Sequence, residues 1–325
     1  MDHPGPDGRG RWLRWALPIV CLLLAVTPAP AHACGLLFLQ TTNTIDWQGA
    51  TGNYDVFDAN TYVQAVEIRV VKLFFGTCSY AIGISEGGSG SFNPRELSVG
   101  QRVLDYNLYD SPGQTNVVED ASSGGTLLVG QFTNNAAFLE SNVHTYYWVI
   151  PPLQIVSGTN GQYQDRPSVT LYENVGGTLA TRDTASIRHR TRAPRAAEIS
   201  LVDTGAPFDA GDLSQSLNFG IFFTGESLSF DLLARANTNF DLSLQSANAG
   251  RMAHTSLASA VPYTLTVDGA AVDLTGGGPV QIASFGGSQT SVQGQRYGIN
   301  VTVGSLAGAL SGLHQDQVTV TLTAR

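Results

Sequence analysis

Gly83-Ile84-Ser85-Glu86-Gly87 is the one stretch of this sequence that spells a catalytic pattern. In G-x-S-x-G the serine attacks an acyl carbon from a strand that turns sharply into a helix, and the acid and histidine come later in the chain. Here Ser85 is followed by GGSGSFNP, a run of glycines and a proline that cannot begin a helix. His144, His189, His254 and His314 lie downstream, none in a recognisable setting. Ser85 therefore reads as a loop hydroxyl, and a hydrolase acting through it is the enzymatic alternative. No HExxH, no Cys/His metal spacing and no EF-hand loop occurs. The scattered acids suit solvated strand faces. The reading is non-enzymatic, with no cofactor and no metal.

Charge narrows the partners. The 325 residues carry 17 basic and 26 acidic side chains, a net charge of −9, and Lys72 is the only lysine. Such an acidic surface argues against nucleic acid and anionic membranes. Residues 1–33 read as a secretory signal: Arg9, Arg11 and Arg14, the apolar run ALPIVCLLLAV, then Ala31 and Ala33 ahead of a cut before Cys34. That run is too short for a membrane span, which takes roughly 20 residues. Cys34 also stands where a lipidated cysteine would, although Ala31-His32-Ala33 lacks the leucine of a lipobox. With Cys21 gone in the leader, Cys34 and Cys78 remain. In an oxidising compartment they would close a loop worth about 4 kcal/mol. Disulfide and lipid anchor both stay open at this point.

Nearly every segment that follows alternates with period two, the signature of strands with one buried face. Val66, Ile68 and Val70 interleave with Glu67 and Arg69; Leu228, Phe230 and Leu232 with Ser229 and Asp231; Val318, Val320 and Leu322 with Thr319 and Thr321. Turn signals such as Asp268-Gly269 and Gly276-Gly277-Gly278-Pro279 separate the runs. The expected fold is all-β, two tandem sandwiches. Between residues 173 and 198 the alternation lapses, and Arg182, Arg188, Arg190, Arg192 and Arg195 gather around Pro194. The expected division is a first domain at 34–175, a solvated linker at 176–197 and a second domain at 198–325.

The chain also repeats itself. QYQDRPSVTLYEN at 162–174 returns as HQDQVTVTLTAR at 314–325. Aligning Asp165 with Asp316 also aligns Tyr163 with His314, Thr170 with Thr321 and Leu171 with Leu322. A polar corner followed by the same last strand, written twice, implies a duplicated sandwich.

With LDYNLY at 104–109, WVIPPLQ at 148–154, NGQYQD at 160–165, ARANTNFDLSLQSANAG at 234–250 and PYTLTVDG at 262–269, the chain resembles the spore coat protein U domain family. This is the pilin-like fold of archaic chaperone–usher pili. The resemblance implies immunoglobulin-like sandwiches, one completed by a donor strand from a periplasmic chaperone or a neighbouring pilin after passage through an outer-membrane usher. It also implies export through the periplasm to the cell surface. The expected mature chain opens at Cys34, and GLLFLQ is already strand-like with nothing left over to donate, so a two-domain tip adhesin for attachment and biofilm formation is expected. Its strand-accepting interface would be Val318, Val320 and Leu322. Hydrophobic loops would make its adhesive end, with candidates Ile45, Trp47, Leu127, Leu128, Val129, Phe138 and Leu139. The alternatives are a coat or matrix protein built from the same domain and a free-standing periplasmic binding module.

Overall fold

The computed structural model describes residues 34–49 and 51–325, so the expected signal segment lies outside the described residues. Among the described residues every regular element is a strand. The fold is all-β, two immunoglobulin-like sandwiches. The alternating runs form the strands they predict: in β3 (Val63–Leu73), Val66, Ile68 and Val70 are buried while Glu67 and Arg69 are exposed.

The first sandwich begins with β1 (Leu36–Thr41), β2 (Thr44–Asp46), β3, β4 (Cys78–Ile84), β5 (Arg95–Val99) and β6 (Arg102–Tyr109). It continues through β7 (Leu128–Phe132), β8 (Leu139–Val149), β9 (Tyr163–Asp165), β10 (Ser168–Val175), β11 (Thr178–Ser186) and β12 (Arg188–Thr191). One sheet has the order β1-β3-β8-β6-β5-β9-β12-β2, the other β11-β10-β4-β7. Between them lie Ile68, Ile82, Tyr106, Tyr146, Trp148 and Leu171, all fully buried.

The second sandwich contains β13 (Ala197–Val202), β14 (Ser227–Ala236), β15 (Phe240–Ser246), β16 (Arg251–His254) and β17 (Ala260–Val267). It ends with β18 (Ala270–Val272), β19 (Val280–Phe285), β20 (Gln295–Val303), β21 (His314–Gln315) and β22 (Val318–Ala324). Its sheets run β13-β14-β20-β17-β16-β21 and β19-β15-β22. Strand for strand, these are the first sandwich's β1-β3-β8-β6-β5-β9 and β7-β4-β10. The duplication read from thirteen residues extends to the whole topology. What the second copy does not have, among the described residues, is a counterpart of β11, β12 or β2.

The expected linker at 176–197 is therefore corrected. Residues 178–191 are β11 and β12, integral to the first sandwich, and the connection to β13 is only residues 192–196. Two physical facts hid them. The positions of β11 opposite Val169, Leu171 and Glu173 are Ala185, Asp183 and Ala180, small or polar, and a bulge between Leu171 and Tyr172 breaks the register. Two of the arginines are paired with acids: Arg182 lies 3.6 Å from the Glu173 carboxylate and Arg190 pairs with Asp46.

Candidate functional site: an open strand edge and an aromatic pole

The repeated last strand meets two different fates. In the first sandwich β10 is paired on both sides, to β4 and to β11, and Val169 and Leu171 are fully buried. In the second, β22 pairs with β15 along seven residues, and no described strand lies on its other side. Val320 and Leu322, which the repeat aligns with Val169 and Leu171, are only half-buried, as is Val318. All three still face the second core. An unpaired row of backbone groups beside a half-covered apolar row is what a sheet needs to accept another strand.

The corner before that strand is also written twice. Tyr106 donates its hydroxyl to Asp165 at 2.6 Å, and Tyr263 donates to Asp316 at 2.6 Å. Burial, reinforced by the neighbouring aspartate, raises both phenol pKa values, Tyr106 well above the ordinary range. In the first sandwich His189 of β12 closes over the pair: it opposes Asp165 in register and stacks on Tyr106 at 5.9 Å. In the second, Tyr263 and Asp316 remain half-buried.

The opposite pole of the molecule carries the other candidate surface. β3 and β8 pair from Val63↔Val149 to Leu73↔Leu139, a ladder spanning roughly 35 Å at 3.3 Å per residue. At the Val149 end the two sandwiches meet: Gly158 N–H donates to Asn237 O at 2.7 Å, and the Arg235 guanidinium lies 4.6 Å from the Phe57 ring. At the Leu73 end the loops 74–77 and 133–138 project with Phe74, Phe75 and Phe138 exposed. Phe138 meets Phe74 at 5.2 Å and Phe75 at 6.3 Å, both edge-on. Exposed Leu36 and Leu139 flank them. Phe74 is held at a φ of 71° and donates its N–H to Phe138 O at 2.7 Å; a bulky residue rarely adopts that conformation. Lys72, fully buried, donates from Nζ to Gly76 O and Asn134 O, both at 2.9 Å, and so ties the two loops together.

Of the residues expected to be adhesive, several lie elsewhere. Trp47 is core, packed edge-on against Trp148 at 5.0 Å. Ile45 is a β2 residue packed against the same core, Leu128 is buried in β7 and Leu127 is half-buried. Val129, at 72% exposure, faces solvent from a strand rather than a loop. Phe138 and Leu139 lie at the pole. Sequence reasoning missed Phe74 and Phe75, although two phenylalanines ahead of Gly76-Thr77 break the alternation of β3 and end on a turn. Cys34 and Cys78 are joined in a disulfide. With Glu173 they form the one metal-capable cluster among the described residues, and bonded sulfurs are not thiolate ligands. Ser85 Oγ accepts the Ser168 N–H at 2.9 Å, and no helix follows it.

The family model of the Spore Coat Protein U domain matches residues 23–170. The match ends inside β10, and β11 and β12 complete the first sandwich beyond it. Solved structures similar to the chain include the CsuC–CsuE chaperone–tip adhesion subunit pre-assembly complex from archaic chaperone–usher Csu pili of Acinetobacter baumannii. The likeness has a TM-score of 0.45 at 12% identity, covering 87% of this chain and 99% of that one. The CupB6 tip adhesin from Pseudomonas aeruginosa aligns at a TM-score of 0.36 and 11% identity, over 90% and 94% of the two chains. CfaE, the adhesive subunit of CFA/I fimbria of enterotoxigenic Escherichia coli, aligns at 0.31 and 12%, over 89% and 93%. No curated protein matches the sequence.

Proposed function

We propose that this chain is an exported, non-enzymatic pilus tip adhesin, which passes through the periplasm to the cell surface and mediates attachment and biofilm formation. Its second sandwich accepts a donor strand, first from a periplasmic chaperone and then, beyond the outer-membrane usher, from a neighbouring pilin. Its first sandwich, complete in itself, presents the aromatic pole. The observation that carries the reading is the contrast between β10, sealed by β11, and β22, open beside Val320 and Leu322.

The two poles support the same orientation. By topology, the loops 237–239 and 286–294 of the second sandwich are the counterparts of 74–77 and 133–138 in the first. In the second they carry polar residues that bond to the first sandwich: Asn237 Oδ1 accepts the Ala196 N–H at 2.8 Å, and Ser288 O accepts from Ser157. In the first they carry phenylalanines whose rings, among the described residues, pack edge-on against one another. Exposed aromatics at a free pole suit an apolar surface.

Hydrogen exchange on the full chain tests the reading, alone and with an archaic periplasmic chaperone. The outward amides of β22 are expected to exchange freely in the isolated chain and to become protected in the complex. If they are already protected in the isolated chain, the edge is covered and the proposal fails.

A further inference from the structure

The first sandwich shows what a completed edge looks like in this chain, and its completing segment pairs twice. β11 runs antiparallel along β10, from Val175↔Thr178 to Ser168↔Ser186. The chain then crosses to the other sheet, and β12 runs antiparallel along β9, placing His189 opposite Asp165 and Thr191 opposite Tyr163. β2 clasps β12 from outside, parallel, with Ile45 opposite His189; Arg190 O accepts the Trp47 N–H at 2.9 Å.

All the receiving parts recur in the second sandwich. β21 is the counterpart of β9; it pairs with β16 on one side and with no described strand on the other. The Tyr263–Asp316 pair waits at its end, half-buried where Tyr106–Asp165 is sealed. The clasp has a counterpart too, in the β13–β14 connection, which corresponds to the β1–β3 connection that holds β2. Residues 219–223 of that connection form no strand. Ile221 is 95% exposed and Phe223 65%, while the Phe222 ring already lies edge-on to His314 of β21 at 6.2 Å. An isoleucine and a phenylalanine so fully in water, beside an unpaired edge, mark a surface that another chain covers.

Resting on the donor-strand reading above, we propose that the partner strand completing the second sandwich pairs twice. It runs antiparallel to β22 with alternate apolar side chains against Val320 and Leu322. It then continues for about five residues, the length of the β12 segment it mimics, along the free edge of β21. There it lays a flat side chain over Tyr263–Asp316, as His189 lies over Tyr106–Asp165, and residues 219–223 close on its outer side. The occupant is therefore a longer segment of a neighbouring polypeptide than the groove beside β22 alone requires.

The chain's own completing segment serves as the probe. The repeat aligns Arg325 with Asn174, so a second copy of residues 175–186 or of residues 175–192 is appended after Arg325. Both copies carry Asp183→Val and Ala185→Val to match Leu322 and Val320. Both should raise the unfolding midpoint of the second sandwich. Only the longer should slow amide exchange at 219–223 and 314–315, by about tenfold or more. Equal stabilisation with unchanged exchange at 219–223 would overturn the second pairing and leave the donor-strand reading standing. No stabilisation by either would overturn both. If the appended chains are not secreted folded, the same two segments supplied as peptides to the unmodified chain give the same comparison by exchange.

Discussion

The buried ammonium of Lys72 lies 2.8 Å from the Glu140 carboxylate, while two of its three N–H donors go to Gly76 O and Asn134 O. The chain's only lysine thus neutralises an acid and pins both loops of the aromatic pole. Lys72→Met keeps the stem but leaves the carboxylate and two carbonyls without their cation. Removing one partner of a buried pair costs about 3 to 5 kcal/mol. The first sandwich should lose that much by denaturant unfolding, and the second should lose none; an unchanged midpoint would mean that the loops hold themselves.

Phe74→Ser, Phe75→Ser and Phe138→Ser together should reduce attachment to polystyrene or another apolar surface by about tenfold or more, because the three rings are the largest exposed apolar side chains at that pole, with Leu36 and Leu139 only flanking them. Their side chains are already about half in water, so secretion and the amount of protein at the surface should hold. If piliation falls in step with attachment, the three rings are structural.

Trp47→Ala and Val129→Ser separate core from surface among the residues that sequence alone groups as adhesive. Trp47 is 3% exposed against Trp148, so its truncation should cost about 3 to 5 kcal/mol. Val129→Ser should stay within about 0.5 kcal/mol. Similar losses from both would contradict the placement of β2 and β7.

Alternation was enough to read β3, β10 and β22 from the sequence, since burial on one face alone sets a period of two. The aligned Asp165 and Asp316 carried the duplication, because each accepts the hydroxyl of a tyrosine across the sheet, a demand that survives divergence elsewhere. β11 was illegible for the opposite reason: its inward face is Ala180, Asp183 and Ala185, small or polar, so no apolar alternation marks it. Trp47 misled because NTIDWQGATG has the composition of a loop, and only tertiary pairing of β2 with β12 carries the indole inward. The open edge of β22 belongs to the sheet order, not to any residue type.

Cys34→Ser should destabilise the first sandwich alone. The disulfide spans 44 residues of sequence, and closing such a loop is worth about 4 kcal/mol in the chain-entropy account. Glu173 also accepts the Cys34 N–H at 3.0 Å beneath it. Two calorimetric transitions, with only one lowered, are expected. Equal lowering of both would show that the sandwiches unfold as one.

The pH response should also be confined to the first sandwich, through His189. Its ring is fully buried among Tyr106, Tyr146 and Trp148, and the Tyr146 hydroxyl lies 2.8 Å from Nε2. Burial, with the nearby Arg95 charge, pushes its pKa down from 6.5 to about 3. The unfolded chain then binds a proton below 6.5 that the folded chain refuses until about 3, so stability is full above 6.5 and is lost as pH falls through that window. At pH 5 the loss relative to pH 7 should be about 2 kcal/mol. His189→Gln can keep a partner for the Tyr146 hydroxyl without titrating, and it should flatten the dependence while lowering stability at pH 7. Thermal unfolding of both proteins at pH 5, 6 and 7 decides the matter: an equally steep acid loss in the variant would assign it to other groups, the half-buried His144 first among them.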